Sequence, residues 1–360
     1  MKKGLVVFLV IIIIGIIGGF TFYNVGLSPL EKTSGDADKK LVRVEIKEGM
    51  GISQIAELLE KEGLIRSADM MKIYSKLNRL KGLQAGKYDL SPEDDTKTII
   101  SQIVNGNVAD DSVKITFIEG KNMRYIAKMI AEKTTNTEED VFKLLENENY
   151  IDSLIEKYWF ITDEIKQKQI YYPLEGYLLP DTYAFKSEGI SVKEIFGVIL
   201  DFTEKFLNEY KVEIENNNLT VHQILTMASL AELEGKSLED RKEIIGVFFN
   251  RLDIGMPLGS DVSTYYAFKV DMGDRDLTAK ELNTENPYNT RGPGMSGKIP
   301  IGPICNPSKI AIEAALDYTE TDAYYFVADK NGKVYFTKNN DEHIKMINKL
   351  KKEGLWYTYD

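Results

Sequence analysis

Two glutamates stand close together in a stretch of the chain that is otherwise uncharged and helical in pattern. Glu232 and Glu234 end the run Leu-Thr-Met-Ala-Ser-Leu-Ala-Glu-Leu-Glu-Gly at 225–235. Glu232 follows Leu225 by seven positions and Ala228 by four, so it falls on the apolar stripe of the predicted helix. A carboxyl group on such a face tends to have a raised pKa, and one that stays protonated near neutral pH can act as a general acid. The spacing therefore predicts Glu232 as a candidate acid.

The same pattern has a purely structural explanation. A buried glutamate is often paired with an arginine, and Arg241 and Arg251 follow on the next predicted helix. Glu234 lies four positions after Leu230, so the periodicity favours Glu232 over Glu234 only slightly. From the residues alone, an acid catalyst and a buried ion pair remain equally good interpretations.

The elements around these glutamates can be placed from the sequence. Thr220 can cap the helix that carries them, and a second helix is predicted from Leu238 to Leu252, with Asn250 near its end. Loops rich in proline and glycine follow it. Because such loops are held in fixed shapes, they are suited to present side chains to a ligand, although their polar residues are equally explained by ordinary turn chemistry. The candidate ligand-binding residues of this region are Asp261, Tyr288, Asn289 and Asn306.

A tyrosine-rich segment interrupts the mainly helical stretch from Thr135 to Lys211. Residues 171–185 contain two prolines, a glycine and four tyrosines, together with Glu175 and Asp181, and include Tyr183. Tyrosine has an apolar face and a hydrogen-bonding tip, which suits the ring of a sugar. The segment is predicted to be a loop that grips a polar ring, or equally a loop that packs through its tyrosines.

Composition excludes several classes of protein. The net charge of -11 argues against nucleic acid as a partner. Two histidines and one cysteine make a zinc site or a Ser-His-Asp triad very improbable, and we expect no cofactor. Carboxylates are the abundant reactive groups.

The sequence of the N-terminus is typical of a membrane anchor. No charged residue occurs between Lys3 and Glu31, and residues 4–24 are almost wholly apolar, long enough for one transmembrane helix. A cleavable signal usually ends in small residues of the A-x-A kind, and the first alanine is Ala37. Residues 1–3 should form a cytoplasmic tail because cytoplasmic flanks are positively charged. We therefore expect a single-pass protein of the cell (inner, cytoplasmic) membrane, whose extracytoplasmic part is an enzyme or a binder.

The rest of the chain divides into three predicted parts after a polar linker at 25–40. A strand, a turn and two helices lead to a returning strand within 41–110, a βααβ order similar to the LysM-like modules of cell-wall proteins, although a plain spacer domain is an equal alternative. The opening pattern recurs at Val113 and begins a repeat-like and helical subdomain at 111–220. A catalytic core at 221–360 ends in a hairpin around Asp329-Lys-Asn-Gly. The fold class is α+β, with a mixed helical and small-sheet catalytic domain.

Six segments in order give the chain a resemblance to a known family, the membrane-anchored endolytic murein transglycosylases, or MltG/YceG-like proteins. Together they span about residues 41–345. The segments are Leu-Glu-Gly-Tyr-Leu-Leu-Pro-Asp-Thr-Tyr (174–183), Ala-Ser-Leu-Ala-Glu-Leu-Glu (228–234), Val-Phe-Phe-Asn-Arg-Leu (247–252), Asn-Pro-Tyr-Asn-Thr (286–290), Gly-Pro-Ile-Cys-Asn-Pro (302–307) and Tyr-Phe-Val-Ala (325–328).

The resemblance implies lytic cleavage of peptidoglycan glycan strands between N-acetylmuramic acid and N-acetylglucosamine, giving 1,6-anhydromuramyl ends and terminating nascent strands. It implies Glu232 as the catalytic acid and base, and peptidoglycan synthases (penicillin-binding proteins) as partners. The residues expected to support catalysis or bind substrate are Glu234, Glu175, Tyr183, Asn250, Asp261, Tyr288, Asn289 and Asn306.

The chain departs from the family pattern in one loop. Arg291 stands where the family often has tyrosine, and residues 297–304 read Gly-Lys-Ile-Pro-Ile-Gly-Pro-Ile instead of the usual Gly-Leu-Pro-Pro-Gly-Pro-Ile. Two other functions remain open: a noncatalytic glycan-binding scaffold for synthases, and a hydrolase of the muramidase type, which would leave reducing ends.

Overall fold

The computed structural model describes residues 2–31, 39–106, 109 and 112–356, with backbone alone for residues 2–6. Part of the predicted linker at 25–40 lies outside these ranges, as do the predicted boundary between residues 110 and 111 and the last four residues of the predicted core. The chain forms two compact units, Met1–Asp111 and Ser112–Asp360.

The first unit begins with a long apolar helix, α1 (Lys2–Leu27). Residues Val7–Leu27 have a mean hydropathy of 2.3, and this stretch is long and apolar enough to cross a membrane. The helix extends beyond the predicted span at 4–24 at both ends. Nearly all its described side chains are exposed.

The remainder of the first unit is a small α/β layer. Strand β1 (Val42–Ile46), helices α2 (Ile52–Lys61) and α3 (Ala68–Leu77), and strand β2 (Gly86–Leu90) follow in the predicted βααβ order. The strands pair antiparallel, with Val42 opposite Leu90. A further helix, α4 (Thr96–Val104), was not predicted; the Asp95 side chain caps it, and its isoleucines complete the core.

The second unit opens with strand β3 (Val113–Thr116) and helices α5 (Met123–Lys133), α6 (Glu138–Leu145) and α7 (Glu148–Lys157). A 3-10 turn (Asp163–Lys166) precedes strand β4 (Thr182–Phe185), which pairs antiparallel with β3. The segment at 171–185 is therefore not wholly a loop, because Tyr183 and Phe185 turn inward while Thr182 and Ala184 face out. A four-residue alternation is too short to predict a strand.

The helices that follow build the centre of the unit. They are α8 (Val192–Asn208), α9 (Lys211–Glu215), α10 (Val221–Glu234), α11 (Leu238–Asp253), α12 (Asp261–Ala267), α13 (Ala279–Leu282) and α14 (Lys309–Leu316). The predicted cap of α10 at Thr220 is confirmed, and so, within one residue, are the predicted bounds of α11. Helices α10, α11 and α14 pack on one another, and one continuous core joins residues 115–315. The predicted division at 220/221 falls inside this core.

The chain closes with the predicted hairpin and a helix that was not predicted. Strands β5 (Tyr325–Ala328) and β6 (Val334–Thr337) pair antiparallel, and helix α15 (Asn340–Lys352) packs on both. Its charge-rich sequence hides the apolar positions that contact the hairpin.

Candidate active site

Helix α10 positions the two glutamates. Thr220 caps its first turn through a capping box with Gln223, and its middle is buried on all sides. The helix ends at Glu234, and Gly235 follows in extended conformation. A Cβ at Gly235 would lie 3.0 Å from Cγ of Arg241, so the missing side chain lets α11 approach the end of α10 closely.

Glu232 is held by an ion pair and two hydrogen bonds from one serine. Arg241 Nη2 lies 2.8 Å from Oε1 of Glu232, and only 8% and 6% of these side chains are exposed. On the other oxygen, Oε2, the amide nitrogen of Ser308 donates at 3.0 Å and its hydroxyl oxygen lies at 2.5 Å. Glu232 therefore forms a buried ion pair with Arg241. It does not exclude a catalytic role, because it fixes the carboxyl group in one orientation.

The segment that carries Ser308 is joined to the turn before α5. Gly120 donates its N–H to the carbonyl of Asn306 at 3.0 Å, and Asn306 donates its own N–H to Lys121 at 2.9 Å. Gly120 has φ of +71°, and a Cβ there would lie 3.1 Å from Leu233 and 3.5 Å from Cγ of Glu232. This glycine brings a backbone turn directly against the glutamate.

A cleft of about 410 Å³ opens beside this turn. Gly120 and Leu233, which flank Glu232, form part of its lining. One wall is polar and cationic, from the turn and helix α5; the other is apolar and aromatic, from α10, α12 and the loop after α12. Lys121, Arg124 and Lys128 belong to the first wall, and Leu233, Val262 and Val270 belong to the second.

Glu234 has a different environment from Glu232. The Ser260 hydroxyl donates to its Oε1 at 2.5 Å, and burial raises the pKa of Glu234 above its usual value. Neither glutamate is itself among the residues that line the cleft. Glu232 is distinguished by its contact with the lining residue Gly120, where a Cβ would lie 3.5 Å from Cγ of Glu232.

Glu175 is the centre of a buried polar network beneath the cleft. Its Oε2 accepts hydrogen bonds from the amide of Met123 and the hydroxyl of Tyr266, both at 3.0 Å, and Oε1 accepts from Nδ2 of Asn306 at 3.1 Å. Asn306 also accepts from the amides of Gly176 and Leu178, both at 3.0 Å. Burial raises the pKa of Glu175 to about 8. Glu175 thus joins the start of α5, helix α12 and the segment before Ser308.

Tyr288 and Asn289 lie in the loops after α12 and are not among the residues that line the cleft. Both side chains are fully buried. Tyr288 packs against Tyr171 and Tyr266 with ring centroids 4.7 and 4.9 Å away, while Asn289 accepts from Thr264 at 2.7 Å and caps several carbonyls. Asn306 is buried in the same way, so these polar groups are used to fix loops.

Three further predicted residues, Tyr183, Asn250 and Asp261, bond to other parts of the protein. The hydroxyl of Tyr183 donates to the carbonyl of Leu179 at 2.5 Å. Asn250 Nδ2 donates to the carbonyls that precede β5. Asp261 is half-exposed and forms an ion pair with Arg291, the residue that departs from the family pattern. None of these three lines the cleft.

Sequence reasoning missed Ser308, Gly120 and Arg124. Ser308 follows Asn-Pro and caps α14 by accepting a hydrogen bond from the amide of Ala311. The cap can be predicted from the local sequence, but the contact of Ser308 with Glu232 cannot. Arg124 bridges the cleft, donating to the carbonyl of Lys269 and to Asp271, both at 2.6 Å. Within the described ranges, no group of three or more His, Cys, Asp or Glu side chains could hold a metal ion.

Known proteins resemble this chain over nearly its whole length. It is 37% identical over 333 residues to the endolytic murein transglycosylase of Bacillus subtilis, covering 92% of this chain and 89% of that one. The endolytic murein transglycosylase of Streptococcus pneumoniae is 33% identical over 362 residues, covering 96% of this chain and 65% of its own length.

A solved structure and a family model agree with these relatives. The crystal structure of a yceG-like protein from Listeria monocytogenes superposes with a TM-score of 0.61 at 35% identity, covering 86% of this chain and 100% of that one. The model of the YceG-like family matches residues 44–349. With the fold, the cleft and these similarities in agreement, the chain belongs to the YceG-like family.

Proposed function

We propose that this protein is a membrane-anchored endolytic peptidoglycan lytic transglycosylase, which cleaves the bond between N-acetylmuramic acid and N-acetylglucosamine in nascent strands. The observation that carries the proposal is the carboxyl group of Glu232, fixed by Arg241 and Ser308 beside an open cleft. The relatives named as endolytic murein transglycosylases support the same activity. Peptidoglycan is then the substrate, and strand termination is the outcome.

Glu232 supplies both proton transfers in this proposal. Its proton passes to the glycosidic oxygen as the bond from C1 to that oxygen breaks. The carboxylate formed then takes the proton of the muramyl C6 hydroxyl as that oxygen bonds to C1, which restores the acid and consumes no water. A single carboxyl group suffices, unlike the pair that ordinary glycosidases use.

The partners of Glu232 suit this cycle. A hydroxyl group can both donate and accept, so Ser308 can hold Oε2 in the protonated and in the ionised state. Arg241 lies on the opposite oxygen and stabilises the carboxylate that exists between the two proton transfers.

The test compares Glu232→Gln with Glu234→Gln, which makes the same change two residues away on the same helix. Purified full-length protein is incubated with glycan strands, and the products are examined by mass spectrometry. We expect Glu232→Gln to lower the rate by at least about a hundredfold, the scale of general acid catalysis, and Glu234→Gln to lower it far less. A larger loss for Glu234→Gln would exchange the two roles.

The mass of the products separates the proposal from its rivals. Anhydromuramyl ends support the transglycosylase. Reducing muramyl ends would identify a hydrolase, and bound but uncleaved glycan would identify a scaffold.

The anchor and the βααβ layer of the first unit complete the proposal. We infer that α1 crosses the cytoplasmic membrane once, with Lys2 and Lys3 inside and the second unit outside. The order and antiparallel pairing of β1 and β2 support a LysM-like, glycan-holding role for this layer. Peptidoglycan synthases are the partners expected of such an enzyme.

Topology is tested with a cysteine at Lys345, an exposed position on α15. The native Cys305 is buried and gives little background. A membrane-impermeant maleimide should label Lys345→Cys on intact cells, and labelling only after lysis would place the second unit inside.

A further inference from the structure

The two walls of the cleft differ in chemistry. Leu233, Val262, Val270 and Met272, together with two tyrosines, form an apolar and aromatic wall, which suits the CH face of a sugar ring. The opposite wall presents Lys121, Arg124 and Lys128. A neutral glycan would need the first wall and would gain nothing from three cations on the second.

The positive charge of this wall stands out against the whole chain. The protein carries a net charge of -11, yet the cleft is lined by three cationic side chains and two anionic ones, Glu138 and Asp271. Arg124 is already satisfied by Asp271 and the carbonyl of Lys269. Lys121, Lys128 and Glu138 are the other charged side chains of the lining.

Both lysines are exposed and only weakly engaged. Lys121 lies 5.7 Å from the ring centroid of Tyr125. Lys128 lies 3.9 Å from Glu132, at the outer limit of an ion pair, and both partners of that pair are largely exposed, so its contribution is small. Their ammonium groups can therefore turn to a ligand at little cost.

Lys121 is also close in sequence and space to the proposed acid. It follows Gly120, which lies against Glu232, and its backbone is fixed by two hydrogen bonds with Asn306. Lys128 lies one helical turn beyond Arg124 on α5. A substrate residue placed at Glu232 would thus have the cations beside it, along the direction of α5.

We propose that the lysine wall, defined as Lys121 and Lys128, binds a carboxylate carried by the muramyl residue of the substrate. This inference rests on the proposed function and deepens it, since it makes the anionic substituent of the sugar part of what is recognised. The carboxylate has two possible sources: the free lactyl group of a peptide-free strand, or the carboxylates of a stem peptide.

The experiment measures cleavage of two uncrosslinked substrates by full-length protein: strands that bear stem peptides, and the same strands after an amidase has removed them. The variants are Lys121→Met, Lys128→Met and the double variant. Lys133→Met is the matched control, because Lys133 ends the same helix and does not line the cleft.

We expect the double variant to raise KM by about three- to tenfold, the scale of two partly exposed ion pairs, with kcat within about twofold of wild type. A rise confined to peptide-bearing strands assigns the stem peptide. A rise confined to the amidase-treated strands assigns the lactyl group, because its carboxyl is free only when the stem peptide is absent. A rise on both substrates means that the lysine wall accepts either carboxylate. The KM of wild type should also increase with salt more steeply than that of the double variant.

Binding of a chitin oligosaccharide, which carries no carboxylate, provides a second readout. Its dissociation constant should be the same for wild type and the double variant. Equal loss of chitin binding, or an unchanged KM on both strand substrates, would overturn the lysine wall while leaving the activity intact. Absence of cleavage by wild type would instead reject the proposed function.

Discussion

The hydroxyl oxygen of Ser308 lies 2.5 Å from Oε2 of Glu232, while the same hydroxyl caps helix α14 by accepting from the amide of Ala311. One side chain therefore orients the candidate acid and starts the helix that packs behind it. The position of Glu232 depends in this way on the folding of a segment 76 residues further along the chain.

Ser308→Ala should separate these two roles. Loss of the cap should lower the free energy of unfolding by about 1 kcal/mol. Loss of the hydroxyl at Oε2 should lower kcat by about tenfold. KM should change little, because the Ser308 hydroxyl holds the acid and does not contact the glycan. Initial rates and denaturant unfolding measure the two effects. Ser308→Thr keeps the hydroxyl and should restore both; a kcat equal to wild type in Ser308→Ala would show that the contact has no part in the reaction.

Arg241 should be needed for stability chiefly because Glu232 is there. Arg241→Met leaves a carboxylate with 6% exposure and no cation, which typically costs about 3–5 kcal/mol. Adding Glu232→Gln removes the unpaired charge, so the double variant should be more stable than Arg241→Met alone.

A double-mutant cycle by urea unfolding gives the coupling between the two residues. Strictly additive losses would mean that Arg241 acts only through its bonds to the carbonyl of Gly235 and to Ser308.

Local sequence patterns predicted the elements that carry the site, but not the contacts within it. Thr220 and the apolar periods that follow it are enough to place α10 and α11, because caps and periodicity are properties of neighbouring residues. The contact of Ser308 with Glu232 is set by how three helices pack, which no local pattern encodes.

Two of the candidate ligand-binding residues, Tyr288 and Asn289, are fully buried in the structure. Asn289 and Tyr288 sit in proline-rich loops, where polar residues are as often used to satisfy backbone groups as to bind ligands. Asn289 meets the carbonyls of Glu281 and Thr284, and these lie within eight residues of it. The sequence could name the polar residues of the loops, but not whether their partners were protein or substrate.

Glu175 should make the protein less stable as the pH rises from about 4.5 to about 8. Its pKa is raised by burial from 4.5 to about 8 in the folded state, so below about 4.5 it is protonated in both states and folding bears no penalty. Between these values the unfolded chain releases the proton and the folded chain retains it, and the free energy of unfolding falls by up to about 1.4 kcal/mol per pH unit. Above about 8 the contribution is constant.

Urea unfolding at several pH values measures this effect, with Glu175→Gln as the comparison. The variant lacks the titrating proton, so its stability should vary less with pH over the same window. A pH dependence identical to that of wild type would assign the effect to another group.

Gly120→Ala should damage activity more than it damages the fold. The residue has φ of +71°, which an alanine adopts only with strain, and its Cβ would lie 3.1 Å from Leu233 and 3.5 Å from Cγ of Glu232. Because the turn is anchored to Asn306 on both sides, it cannot retreat freely, and the strain should displace Glu232 and the cleft wall.

We expect a loss of about 1–2 kcal/mol in stability and a fall in kcat of at least tenfold. Gly49→Ala is the matched control: it lies in the corresponding turn of the first unit at φ of +84°, and a Cβ there would meet no atom within 4 Å. That variant should lose similar stability from backbone strain and retain kcat. Equal losses of kcat in both variants would mean that strain alone, and not the approach of the turn to Glu232, accounts for the effect.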